Sequence, residues 1–167
     1  IAQYVQSRKM PQVNAEGYMI AARDRIQSLL DRSGTIRIGK LRQEFQDCMT
    51  EHCGVFRTES IMQEGLTKVQ EWKQKYEQIY LDDKDTCWNT EIIEALELQN
   101  LAIVGEIILS SAFNRQESRG AHSREDFTQR DDPNFLKHTL AYYSPAGIDI
   151  DYMPVVINRF EPQERKY

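Results

Sequence analysis

At 167 residues, with 40% hydrophobic and 28% charged residues, the chain has the make-up of an ordinary globular domain long enough to bury a core without disulfide staples. Its net charge of -5 argues against nucleic acid as a partner, since such a binder needs a basic stripe to displace counterions from phosphate. Direct membrane insertion is not expected either, because the richest apolar stretch, Ile92 to Phe113, is broken by Glu94, Glu97, Gln99, Asn100 and Glu106 well short of a clean span of about 20 residues.

The chain opens on Ile1 and reads Ile-Ala-Gln-Tyr-Val-Gln-Ser-Arg-Lys, the pattern of a helix already under way. It lacks the charged, apolar and cleavage regions of a signal peptide, so it reads as a piece excised from a longer protein. After a lead-in ending at Pro11, a first helix is predicted from about Ala15 to Arg32, with Asn14 as N-cap and Met19, Ala22, Ile26, Leu29 and Leu30 on one face. Ser33-Gly34 stops it. A second helix, capped by Thr35 and ended by Gly54, carries Ile38, Leu41, Phe45, Cys48 and Met49. The third begins near Thr58 or Ser60, the latter offering a capping box with Gln63, and its long face is Met62, Leu66, Val69, Trp72, Tyr76 and Ile79. Asp82 to Asp85 is a polar turn.

The fourth helix carries the strongest pattern. Asn89 can cap it, Trp88 can staple onto Ile93, and it continues to about Asn114. Its apolar residues cover more than one face, which places it at the centre of an antiparallel bundle with the second and third helices. Leu101 and Ile107 are expected to be buried there. From Gln116 to Asp132 charge of both signs replaces the stripe. Phe135 to Tyr143 and Ile148 to Val156 then read as two strands joined by Ser144-Pro145-Ala146-Gly147, with Pro145 at the second turn position. The fold class is mainly α: a bundle with an additional N-terminal helix and a small C-terminal β-hairpin and extended tail.

Cys48, Cys53 and Cys87 are an odd count, which suits a reducing compartment. Cys48 and Cys53 stand about 140° apart around one helix, a spacing for neither a disulfide nor a zinc knuckle. Three thiolates are one short of a cluster-binding set. The segment Glu117-Ser-Arg-Gly-Ala-His-Ser-Arg-Glu-Asp-Phe127 gathers Arg119, His122, Arg124, Glu125 and Asp126. A catalytic reading makes His122 a general base oriented by Asp126, with the arginines clamping a carboxylate. A metal reading adds Glu117. The plainer reading is a loop whose charges pair with each other or with a neighbouring domain. His52, near a helix C-terminus, suits the helix dipole, and His138 is a packing or hydrogen-bonding residue of the first strand. Trp72 and Trp88 are expected in the core. No glycine-rich phosphate loop or nucleophile elbow occurs.

Glu117 to His122, continued by Ser-Arg-Glu-Asp-Phe and by Arg130-Asp131-Asp132, resembles a motif near the C-terminus of succinate dehydrogenase and fumarate reductase flavoprotein subunits. Glu51 to Arg57 upstream, Lys137-His138-Thr139-Leu140, Tyr152-Met153-Pro154-Val155 and the terminal Arg-Lys-Tyr lie in the same order, so the resemblance spans about Arg32 to Tyr167. It implies a spectrin-repeat-like three-helix bundle over 14–115, a charged loop, hairpin and tail over 116–167, and in 1–13 the remnant of a preceding FAD-binding domain and linker. The family's flavin-attaching histidine and proton-delivering arginine precede this region, so the piece itself is expected to be non-catalytic and to bind no cofactor. FAD belongs to the parent, which oxidises succinate to fumarate, or the reverse, and passes electrons to an iron–sulfur subunit. Arg119, His122, Arg124 and Asp126 are then inter-domain docking residues, and the implied partners are the FAD-binding domain and the iron–sulfur subunit. The parent would be a peripheral subunit on the cytoplasmic side of a membrane, and the excised piece soluble. L-aspartate oxidase is an alternative parent, and a free-standing helical interaction module an alternative class.

Overall fold

The computed structural model describes residues 2–9, 12–144 and 146–163. Ile1, Pro11, Pro145 and the terminal Arg-Lys-Tyr, each of which entered the sequence reading, lie outside the described residues.

Asn14 caps the helix that begins at Ala15 as its sequence predicts, its side-chain oxygen accepting from Gly17 N. After the short α1 (Ala2–Gln6), α2 (Ala15–Leu30) buries only its last turn, at Leu29 and Leu30. Met19 of the predicted stripe is exposed, with Tyr18 and Ile20 beside it. The chain then makes a two-residue strand, β1 (Ile36–Arg37), before α3 (Ile38–His52). Thr35 is therefore not the cap of α3: that place falls to Arg37, which makes no side-chain capping bond. The backbone N–H groups of Thr35 and Ile36 donate to the Gln78 carbonyl instead.

A second short strand, β2 (Phe56–Arg57), leads into α4 (Glu59–Tyr76). Thr58 is its N-cap, accepting from Ile61 N, so the Ser60–Gln63 box is not used. Ile79, read as the end of the helical stripe, lies in β3 (Ile79–Tyr80), which pairs in parallel with β1. Gly34 allows this approach, since a Cβ there would fall 1.8 Å from the Gln78 carbonyl oxygen.

The long α5 (Thr90–Asn114) starts at Asn89, which accepts from Ile92 N. Cross-contacts give the bundle its sense. Trp72 Nε1 donates to Leu41 O, and Gly65 lies against His52, so α3 and α4 run antiparallel. Tyr76 Oη donates to Ala95 O, and Gln70 reaches Glu106, so α4 and α5 do too. Gly105 brings α5 onto α3: a Cβ there would meet the Phe45 ring at 2.5 Å. Leu41, Met62, Val69, Leu98 and Leu109 form the centre, each contributing on the order of 1.5–3 kcal/mol from its burial.

The far face of α5 departs from the sequence reading. Ile93, Leu101, Val104 and Ile108 are exposed, Leu101 to 43%, and Ile107 is only half-buried. Trp88 is 96% exposed at φ 60° and does not staple onto Ile93, itself 57% exposed. These apolar residues make α5 hydrophobic all round, but α3 and α4 cover only one side of it.

Beyond α5 the charged segment contains β4 (Ser123–Arg124), which pairs in parallel with β2, and a single turn, α6 (Asp132–Phe135). The predicted hairpin is β5 (Lys137–Ser144) with β6 (Gly147–Pro154), in register from Lys137 opposite Pro154 to Ser144 opposite Gly147. Two strands alone are marginal. The ribbon leans on the bundle through buried Glu106, which accepts from Gln70 at 2.5 Å and from Lys73, whose ammonium lies 5.8 Å from the Tyr143 ring centroid.

Candidate functional site

Three helix ends meet where the charged segment crosses the bundle, and each leaves backbone groups without intrahelical partners. The segment supplies those partners. Arg124, 1% exposed, directs Nη1 at the carbonyls of Ala112, Phe113 and Arg115 at 3.2–3.5 Å, where a cation is favoured by the C-terminal end of the α5 dipole. Its Nε and Nη2 form a two-pronged bridge to Asp126 at 2.6 and 2.7 Å. Asp126 in turn accepts from Glu59 N, at the start of α4, at 2.7 Å. One ion pair thus joins the C-terminus of α5 to the N-terminus of α4. Arg57 serves the third end, donating to the carbonyls of Gly54 and Cys53 just after α3.

Glu117 is the centre of the segment. Its side chain is fully buried and accepts from Arg115 Nη1 at 2.5 Å, Arg119 Nε at 2.8 Å, Arg119 Nη2 at 2.9 Å and Asp131 N at 2.9 Å. Burial alone would raise its pKa, but these donors outweigh that and hold it below the ordinary carboxylate value. Arg119 also reaches Asp132, which Arg130 shares, and Arg115 continues to the carbonyls of Phe135 and Lys137 and the Thr139 hydroxyl. The network therefore runs unbroken from the end of α5 into the hairpin.

His122 sits between Arg57 and the Arg115 carbonyl. An arginine only donates and a carbonyl only accepts, so Nδ1 accepts from Arg57 at 2.9 Å and Nε2–H donates to Arg115 O at 3.0 Å. That arrangement requires the neutral ring. Burial, with the neighbouring arginines, holds its pKa below 6.5. For Asp126 the pairing with Arg124 brings the pKa to about 2.

The four residues singled out from sequence are thus close together, but His122 is not oriented by Asp126: each has other partners. The arginines are spent on carboxylates and helix-end carbonyls of this chain, not left for a substrate. Among the described residues no group of three His, Cys, Asp or Glu side chains is placed to hold a metal ion. Arg57 and Arg115 belong to the site without any local sequence signal, and Glu117, a metal ligand in one sequence reading and a member of a self-pairing charged loop in the plainer one, is its centre. Their partners are backbone carbonyls and residues up to 65 positions away, which no local spacing reveals. His52, read as a helix-dipole residue, is 3% exposed at the end of α3, with neither ring nitrogen hydrogen-bonded.

Comparison with known proteins places these features in a family. Residues 42–167 match the model described as "Fumarate reductase flavoprotein C-term". The fumarate reductase flavoprotein subunit of Haemophilus influenzae is 37% identical over 163 residues, which are 97% of this chain and 27% of the relative. The succinate dehydrogenase flavoprotein subunit of Rickettsia felis is 40% identical over 135 residues, 80% of this chain and 23% of the relative. Among solved structures, quinol fumarate reductase from E. coli superposes with a TM-score of 0.86 at 33% identity over 93% of this chain and 27% of that one. The adenylylsulfate reductase of Archaeoglobus fulgidus, at 15% identity and a TM-score of 0.74 over 92% of this chain and 26% of that one, shares the fold. The chain spans about a quarter of the length of the curated relatives it matches.

Proposed function

The chain belongs to the fumarate reductase flavoprotein C-terminal family, and on that premise we propose that it is the structural and docking domain of an FAD-dependent subunit that interconverts succinate and fumarate. The parent passes electrons to an iron–sulfur subunit and sits peripherally on the cytoplasmic side of a membrane. Residues 14–115 form the bundle, 116–167 the charged loop, hairpin and tail, and 1–13 the end of the flavin domain. The observation that carries the reading is the match over 42–167, which includes the whole helix-end network. No described helix is long and apolar enough to cross a membrane.

In the proposed parent the flavin and its chemistry belong to the upstream part, and this domain holds a shape against it. Within that shape Arg119, with its side chain 25% exposed, and Asp126, at 28%, retain solvent-facing surface for a neighbouring domain, while Arg124 and His122 keep the loop in register.

The test is to purify the full-length polypeptide carrying this domain and assay succinate-dependent dye reduction. Turnover with succinate, and co-purification of an iron–sulfur subunit, are expected. Oxidation of L-aspartate without such a subunit would overturn the assignment.

A further inference from the structure

The helix-end network holds one neutral titratable group among cations. His122 faces Arg57 from β2, Arg115 from the end of α5 and Arg124 from β4, and its backbone is bridged to Arg119 by paired bonds of 2.8 and 3.0 Å. Three nearby carboxylates are already engaged, Glu117 by Arg115 and Arg119, Asp126 by Arg124 and Asp132 by Arg119 and Arg130, while the Glu125 carboxylate is exposed to solvent. A second proton on the ring would convert Nδ1 from an acceptor into a donor aimed at the Arg57 donor, and would add a positive charge beside three guanidinium groups.

We propose that His122 is an acid-sensitive latch: while neutral it fastens the 117–127 segment to the turn between α3 and α4, and its protonation releases that segment while the helical core stays folded. The latch joins few bonds. Apart from the Arg57–His122 contact, the segment is held to that turn by the β2–β4 pairing, the Glu125 N to Arg57 O bond at 2.8 Å and the Asp126 contact with Glu59 N. The core of α3, α4 and α5 is separately packed and needs none of them. An unfolded or released histidine takes up its proton near 6.5, whereas the latched ring does so only at lower pH. Closure is therefore fully supported above about pH 6.5 and loses support as pH falls from there through the latched value, by up to tenfold in the closing equilibrium per pH unit. The device stands on bonds within this chain and is independent of the docking reading.

Amide hydrogen exchange on the 167-residue chain between pH 7.5 and 5 tests it, with intrinsic rates corrected. Protection at Glu125, whose N–H donates to Arg57 O, is expected to fall severalfold to tenfold per pH unit below about 6.5, while Leu98 and Leu109 in α5 keep theirs. A ring-nitrogen NMR titration of the unsubstituted protein should show His122 as the Nε2–H tautomer, protonating over the same interval. His122→Gln should remove the pH dependence. Constant protection at Glu125, an equal loss throughout α5, or an unchanged profile in His122→Gln would each overturn the latch.

Discussion

Replacing Glu117 by Gln should be among the most damaging single changes outside the apolar core. The substitution keeps the volume but removes the charge and turns one of two acceptor oxygens into a donor. Four donors converge on that fully buried carboxylate, from Arg115, Arg119 and Asp131. Breaking a buried ion pair by removing one partner costs about 3–5 kcal/mol. Here the side chains of Arg115 and Arg119 retain 14% and 25% exposure and other acceptors, so water recovers part of the loss. A cost of about 2–3 kcal/mol remains, which lowers the melting temperature by roughly 4–12 °C for a chain of this size. Urea unfolding followed by far-ultraviolet circular dichroism at pH 7 reads it directly, and an unchanged denaturant slope would mark it as a stability change. Arg119→Ala should cost less, and the double variant should fall short of the sum because the two share a bond. A Glu117→Gln variant within about 0.5 kcal/mol of the parent chain would refute the view that Glu117 is the buried centre of the network.

Leu98→Ala and Leu109→Ala, both fully buried, should each cost about 2–5 kcal/mol, whereas Leu101→Ala, at 43% exposure, should cost under about 1 kcal/mol; thermal melts of the three separate the covered from the open side of α5. Acid should loosen the α4–α5 junction over a defined range. With Asp126 titrating at about 2 when folded and 3.8 when free, its contribution is complete above pH 3.8 and is lost as pH falls from 3.8 to 2, so Asp126→Asn should flatten the stability profile there and a flat parent profile would exclude the pair as a contributor. Thr58→Ala removes the bond to Ile61 N at the start of α4 and should cost about 1 kcal/mol in urea unfolding, while Ser60→Ala should be nearly neutral.

The fold was largely legible because its helices obey local rules. Asn14 and Asn89 are caps that accept from residues three positions on, and the stripe Met62, Val69, Trp72, Tyr76 is a helix period read straight from the chain. The hairpin likewise follows from the alternation of Ile148, Ile150 and Tyr152 with aspartates. What the local pattern misjudged were the positions decided by distant neighbours. Trp88 and Leu101 look like core by residue type, yet Trp88 is almost fully exposed before the start of α5 and Leu101 lies on its open side. Thr35 looks like a cap, but the parallel pairing of Ile36 with Ile79 takes its backbone elsewhere. The charged segment was visible as a cluster, and its motif carried the family resemblance. Its logic was not visible, because Arg124 and Arg57 answer to the carbonyls at the ends of α5 and α3, and a backbone carbonyl leaves no mark in a sequence.

The most direct test of the account is reassembly from two pieces. The upstream flavin-binding portion of the parent polypeptide and this 167-residue chain would be produced separately and mixed, with association followed by calorimetry and succinate-dependent dye reduction measured with the iron–sulfur subunit present. One-to-one association, retention of FAD by the upstream piece alone, and recovery of iron–sulfur subunit binding only when this chain is added are expected. An upstream piece that binds the iron–sulfur subunit and turns over fully without this chain would contradict its role as a docking domain.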